Sequence, residues 1–134
     1  MSQKLVDIDL TVVVKGNQII GHLVFSNNTD ERIFLERLTI CYNSNIQNNL
    51  FKVLDKNNNR IDYKGVMRKR DISPEDFIAV YPGENIETNI ELDKVYKVEK
   101  GKRYAIQYYA YNPSYKDKIG LTKLESNTVE VVYE

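Results

Sequence analysis

The chain has 134 residues, with 19 basic and 19 acidic side chains, one His, one Cys and no Trp. That length suits a single domain over residues 1–134, large enough to bury a core without metal or disulfide. Zero net charge argues against a polyanion such as nucleic acid as the main partner. His22 and Cys41 together fall short of the three or four ligands of a usual zinc site, and a Ser-His-Asp or Cys-His device would need His22. The expectation is therefore a chain that is not an enzyme and takes no cofactor.

The first alternation is Ile8, Leu10, Val12 and Val14 against Asp9, Thr11 and Val13, the pattern of a half-buried strand. Gly16-Asn17 is a hairpin signal. A second strand follows with Ile19, Gly21, Leu23 and Phe25 on one face, which turns His22 outward. Residues 26–30 are turn formers whose side chains can bond their own backbone. Ile33-Phe34-Leu35 and Leu38-Thr39-Ile40-Cys41-Tyr42 read as the next extended stretch, and residues 43–49 as a polar, Asn-rich loop.

Leu50-Phe51-Lys52-Val53-Leu54 and Arg60-Ile61-Asp62-Tyr63 flank an Asn-rich tip at residues 55–59, a second hairpin. Ser73-Pro74-Glu75-Asp76 has a capping Ser, a Pro suited to the first helical position and two acids, enough for one short helical turn. Tyr81-Pro82-Gly83-Glu84 carries Pro then Gly at the central positions of a type II turn. Ile86, Thr88, Ile90 and Leu92 alternate with Glu87, Asn89 and Glu91 in one of the cleanest strands. Gly101 closes a turn, and Tyr104, Ile106 and Tyr108 share one face of the next strand. Residues 112–126 read as a long loop and residues 128–133 as the last strand.

Short strands with a turn signal about every ten residues predict an all-β, immunoglobulin-like antiparallel β-sandwich of about eight strands, with at most one short helical turn. Tyr104 opens its strand three residues after Gly101, so its hydroxyl either ties back to the backbone as a tyrosine corner or its ring simply packs. No window reaches the roughly 18 apolar residues of a membrane span, and the first residues, interrupted by Asp7 and Asp9, lack the apolar core of a signal peptide. A cytoplasmic location is expected.

Two segments interrupt the strand grammar. Residues 65–77 hold Arg68, Lys69 and Arg70, and residues 111–123 hold Tyr111 and Tyr115 beside the Tyr108-Tyr109 pair. Arg and Tyr dominate the energetics of many interfaces, so Arg68, Lys69, Arg70, Tyr111 and Tyr115 are the candidate partner-binding residues. Tyr109, Tyr111 and Tyr115 also permit a weaker glycan-binding reading. Self-association through a sheet edge is a further alternative, in which the chain is an assembly module and a homo-oligomer.

The order of signals carries a resemblance. It runs through Phe25-x-Asn27-x-x-Asp30-Glu31, Phe34-Leu35-x-x-Leu38, Leu50-Phe51-x-Val53, Ile61-x-Tyr63-x-Gly65 and Arg68-x-Arg70. It continues in Val80-x-Pro82-Gly83-Glu84, Leu92-x-x-x-Tyr96, Gly101-x-x-Tyr104 and Ser126-Asn127-x-Val129-x-Val131. Over nearly the whole chain this resembles the N-terminal propeptide domain of deuterolysin-type (aspzincin) zinc metallopeptidases. The His-Glu-x-x-His motif of the family's catalytic domain is absent from the 134 residues. The resemblance implies a protein-binding domain that inhibits or helps fold a partner, a metallopeptidase or another enzyme.

Overall fold

A computed structural model describes residues 6–44, 46, 48–67, 73–113 and 121–134. Its strands are β1 (Asp7–Lys15), β2 (Gln18–Ser26), β3 (Ile33–Glu36), β4 (Phe51–Leu54), β5 (Phe77–Val80), β6 (Asn85–Glu91), β7 (Lys102–Pro113) and β8 (Leu121–Tyr133). The sheets run β1-β2-β6, β3-β5 and β4-β7-β8, with every strand pair antiparallel. The two three-stranded sheets form an immunoglobulin-like sandwich. Among the described residues there is no α-helix, only 3-10 turns at Tyr42–Ser44, Pro74–Asp76 and Leu92–Lys94. The second is the turn expected after Ser73, with the Asp76 carboxylate accepting from the Ser73 N–H at 2.9 Å.

The alternation drives the packing. Ile8, Leu10, Ile19, Leu23, Phe25, Ile90, Tyr104, Ile106 and Tyr108 all lie in one buried cluster. Phe25 of β2 meets Tyr108 of β7 edge-on at 5.4 Å, and Tyr108 meets Phe51 of β4 at 5.5 Å, so an aromatic spine joins the sheets. Each buried phenol has a partner. The Tyr108 hydroxyl donates to the Thr39 carbonyl at 2.6 Å, and the Tyr96 hydroxyl donates to Asn49 Oδ1 at 2.7 Å and accepts from the Phe51 N–H at 2.9 Å. Burial pushes both phenol pKa values up.

The turns form where their residues require them. Gly16 takes φ +61° in the two-residue connection between Lys15 and Gln18, and Gly83 takes φ +82° while the Glu84 N–H donates to the Tyr81 carbonyl at 2.9 Å. The Asp55 carboxylate accepts from the Asn57 and Asn59 N–H groups and shapes the turn that follows β4. Tyr104 is a tyrosine corner: its hydroxyl accepts from the Glu99 N–H at 2.7 Å while the ring is buried. Tyr104→Phe should lower stability by about 1 kcal/mol in urea titration, because the Glu99 amide loses its partner. An unchanged midpoint would assign the residue to ring packing alone.

Three stretches depart from the sequence reading. Residues 60–63 are not the second strand of a hairpin: they make only isolated bridges, Leu54 with Arg60 and Tyr63 with Tyr96. Residues 38–42 are a turn, not a strand: the Tyr42 N–H donates to the Arg37 carbonyl at 2.9 Å, and Cys41 has φ +56°. Ile40 and Cys41 are nevertheless fully buried, and a buried turn leaves the same apolar run as a strand. Residues 112–126 are not one long loop. β7 runs to Pro113 and β8 starts at Leu121, with Tyr111 opposite Lys123 and Tyr109 opposite Glu125. Between Gln107 and Tyr109 the register shifts. Leu124 and Ser126 are buried before that bulge, Tyr133 after it, so the buried positions change parity.

Three Asn side chains hold the sheets together, each acting as a substitute peptide group. Asn127, next to the bulge, accepts from the Leu10 N–H at 2.8 Å and donates to the Leu10 carbonyl at 2.9 Å, linking β8 to β1. Asn112 accepts from the Glu36 N–H at 2.8 Å and donates to the Phe34 carbonyl at 3.1 Å, linking β7 to β3. Asn27, fully buried, donates to the Glu31 and Val80 carbonyls at 2.8 Å each. A primary amide offers the same donor and acceptor as the backbone, so it can meet a strand edge and end the ladder there.

Candidate functional site

Side chains on the outer face of β7 and β8 gather into one exposed cluster. β7 alternates from Tyr104 to Asn112, so burying Tyr108 and Ala110 turns Tyr109 and Tyr111 outward. Lys123 and Glu125 of β8 lie directly opposite them. The Tyr109 and Tyr111 hydroxyls are 3.3 Å apart, and their rings meet edge-on with centroids 5.9 Å apart. The Lys123 ammonium lies 5.7 Å from the centre of the Tyr109 ring and 2.8 Å from the Glu125 carboxylate. Gln107 completes the row, donating to the Ser126 carbonyl at 2.9 Å. Tyr111 is 50% exposed, the largest aromatic surface on this face.

The electrostatics are local. The hydrogen bond to Tyr109 is the main cause that raises the Tyr111 pKa. Bonding to Lys123 draws Glu125 below the usual carboxylate range, and the same bond raises Lys123. A depressed carboxylate stabilises the fold above its unfolded pKa, and that contribution is lost as pH falls through the folded value. On so exposed a surface the effect is small and salt-screened. What the pair does is restrain the lysine beside Tyr109. The two tyrosine planes stand at 87°, so together they are not the coplanar platform that would stack along a sugar chain.

Of the residues singled out in the sequence, Tyr109 of the glycan-binding reading and the partner-binding candidate Tyr111 are in this cluster. Tyr111 sits in a strand and not in a loop. Arg68, Lys69, Arg70 and Tyr115 lie outside the described residues. Lys123 and Glu125 escaped the sequence reading because they fell inside the supposed loop. The alternation of Lys123 and Glu125 with Leu124 and Ser126 was the signal that could have placed them.

The two residues with the most reactive side chains are held differently. Cys41 is fully buried, and burial raises its thiol pKa to about 12, so it stays protonated at neutral pH and out of a partner's reach. His22 is on the outer face of β2 as expected, with Nδ1 2.6 Å from Asn89 Oδ1 and Nε2 3.0 Å from Glu87 Oε1. Among the described residues no three His, Cys, Asp or Glu side chains are grouped to hold a metal ion. No helix among them is long and apolar enough to cross a membrane.

No protein-family model matches the chain, and no curated protein matches it.

Proposed function

We propose that this chain is a non-enzymatic protein-binding domain that engages its partner through the Tyr109, Tyr111, Lys123 and Glu125 face. The observation that carries this reading is the preorganisation of that cluster. Two tyrosines on a continuous strand are tied to each other, and the lysine between them and Glu125 is restrained. Tyrosine offers a large contact area with few torsions to freeze, and anchors already fixed in place lose less entropy on binding. The sandwich holds them rigidly, as a recognition surface requires.

Within this reading the partner is an enzyme, and the domain restrains it or assists its folding. The resemblance to the propeptide domain of deuterolysin-type metallopeptidases supports that choice. The burial of Cys41 and the open-face placement of His22 support a binding role over a catalytic one.

A photo-crosslinking amino acid at position 111, with a control at position 11 on the opposite sheet, tests the surface in lysate of the source cells. A discrete adduct is expected from position 111 alone, suppressed by excess unlabelled chain. Tyr111→Ala should bind the captured protein about 2 kcal/mol more weakly, with an unchanged melting temperature. Identical adducts from both positions, or full competition by a Tyr109→Ser/Tyr111→Ser variant, would reject this face. If the adduct partner is an enzyme, its own activity should fall when the purified chain is added.

A further inference from the structure

A second exposed cluster lies at the end of the β3–β5 sheet. Ile33 pairs with Val80, so the next position of that register sets Arg32 opposite Tyr81, with Phe34 two residues along on the same face. The Arg32 guanidinium carbon lies 4.9 Å from the centre of the Phe34 ring and 5.9 Å from the centre of the Tyr81 ring. Both distances fall within the roughly 6 Å over which a ring face attracts a cation. Phe34 is half-buried, whereas Arg32 and Tyr81 are exposed, Tyr81 by 51%.

Two other arginines use their donors within the fold. Arg37, stacked on Tyr42, donates to the Glu75 carbonyl at 3.3 Å, and Arg60 donates to the Phe51 carbonyl at 3.5 Å. Arg32 differs: among the described residues its side chain makes no hydrogen bond and no ion pair. Glu84, the acid of the adjoining turn, accepts instead from the Tyr81 N–H at 2.8 Å. Contact with two rings restrains the guanidinium and leaves its N–H donors without a protein acceptor. That group has five donors and no acceptor, in a fork that matches the two oxygens of a carboxylate.

We infer that Arg32 anchors a carboxylate, supplied by an Asp or Glu side chain in a segment of a partner protein, with Tyr81 as the wall against which an apolar neighbour of that residue packs. Arg and Tyr are the residue types that most often dominate interface energy, and a cation already held by two rings loses less rotamer freedom on binding. Local charge selects a carboxylate over a phosphate. With Asp30 and Glu31 preceding Arg32 in the chain and Glu84 hydrogen-bonded beside Tyr81, the site suits one negative charge and not two.

The test uses three capped peptides, Val-Glu-Val, Val-Gln-Val and Val-phosphoserine-Val, titrated into isotopically labelled full-length chain and followed by NMR. The Glu peptide should give saturable shifts of the Arg32 side-chain Nε–Hε signal and of the Tyr81 amide, while the exposed Arg103 side chain stays in place. The Gln peptide should bind about tenfold more weakly, since it loses the charge-assisted pair. Phosphoserine should bind no more tightly than Glu. Arg32→Lys keeps the charge but not the fork and should weaken Glu-peptide binding about fivefold, and Tyr81→Leu, which removes one ring, about threefold. Both positions are exposed, so amide signals away from the site should be unchanged in the two variants. No saturable shift at Arg32, equal binding of the Glu and Gln peptides, an unweakened Arg32→Lys variant, or equal shifts at Arg103 would overturn the proposal. Tighter binding of the phosphoserine peptide would assign the site to phosphate and also overturn it.

Discussion

Asn27→Ala should lower folding stability by about 3 kcal/mol or more, far beyond what a polar turn residue ordinarily contributes. The wild-type amide donates to the Glu31 and Val80 carbonyls, and its oxygen accepts from the Thr29 N–H at 3.0 Å and the Thr29 hydroxyl at 2.6 Å. Truncation leaves several of these groups short of a partner at a site with no exposed surface, each at about 1–3 kcal/mol where water cannot replace the amide. The neighbour is the control. Asn28 reaches Asp7 on the exposed surface, and Asn28→Ala should stay within about 0.5 kcal/mol. Equal urea midpoints for the two variants would show that water replaces the Asn27 amide and that it does not hold β5.

Ile90→Ala should cost about 2–5 kcal/mol, since the removed atoms lose their transfer energy and leave a cavity between the sheets. Ile90 is 2% exposed, faces Gly21 across the β2–β6 register and belongs to the main core cluster. Its Cγ1 lies only 3.4 Å from the position a Gly21 Cβ would occupy, so the two residues fill the space jointly. The next residue points the other way. Glu91, half-buried, pairs with the exposed Lys94 at 3.4 Å, and Glu91→Ala should change stability by no more than about 0.5 kcal/mol. Comparable losses at both positions would mean a register one residue away from that described, because a one-residue slip exchanges the faces of a strand.

These two residues were unequally legible in the sequence. The alternation of Ile86, Thr88 and Ile90 with Glu87, Asn89 and Glu91 by itself places Ile90 inward. Asn27 read only as one of several turn formers. Its amide reaches Val80, 53 positions along the chain, and no local pattern encodes such a partner. The same holds for Asn112 with Phe34 and Glu36, and for Asn127 with Leu10. Each looks like an ordinary polar residue until the fold delivers a strand edge to it.

The candidate site divides in the same way. Tyr109 and Tyr111 were visible as aromatics on the face opposite Tyr108, because period two needs only the residue and its neighbours. Lys123 and Glu125 became part of the site only through the antiparallel pairing of β7 with β8. Pro113 and Gly120 suggested a loop across that region, and the pairing carries the strands to Pro113 and Leu121.

Local chemistry thus determined what needs only a few neighbouring residues: the all-β class, the Gly16 and Gly83 turns, the capped turn at Ser73, the inward faces and the outward His22. These follow from sterics at glycine and proline, side-chain alternation and the burial of apolar faces. Tertiary structure decided the rest: the turn at residues 38–42, the bulge that re-aims Asn127, the amide links between strands, the tyrosine face and the meeting of Arg32 with Tyr81. The reason is that a hydrogen bond or packing contact between distant segments depends on where both partners are carried by the fold. Local propensity is blind to that placement, and the same apolar run satisfies a buried turn as well as a strand.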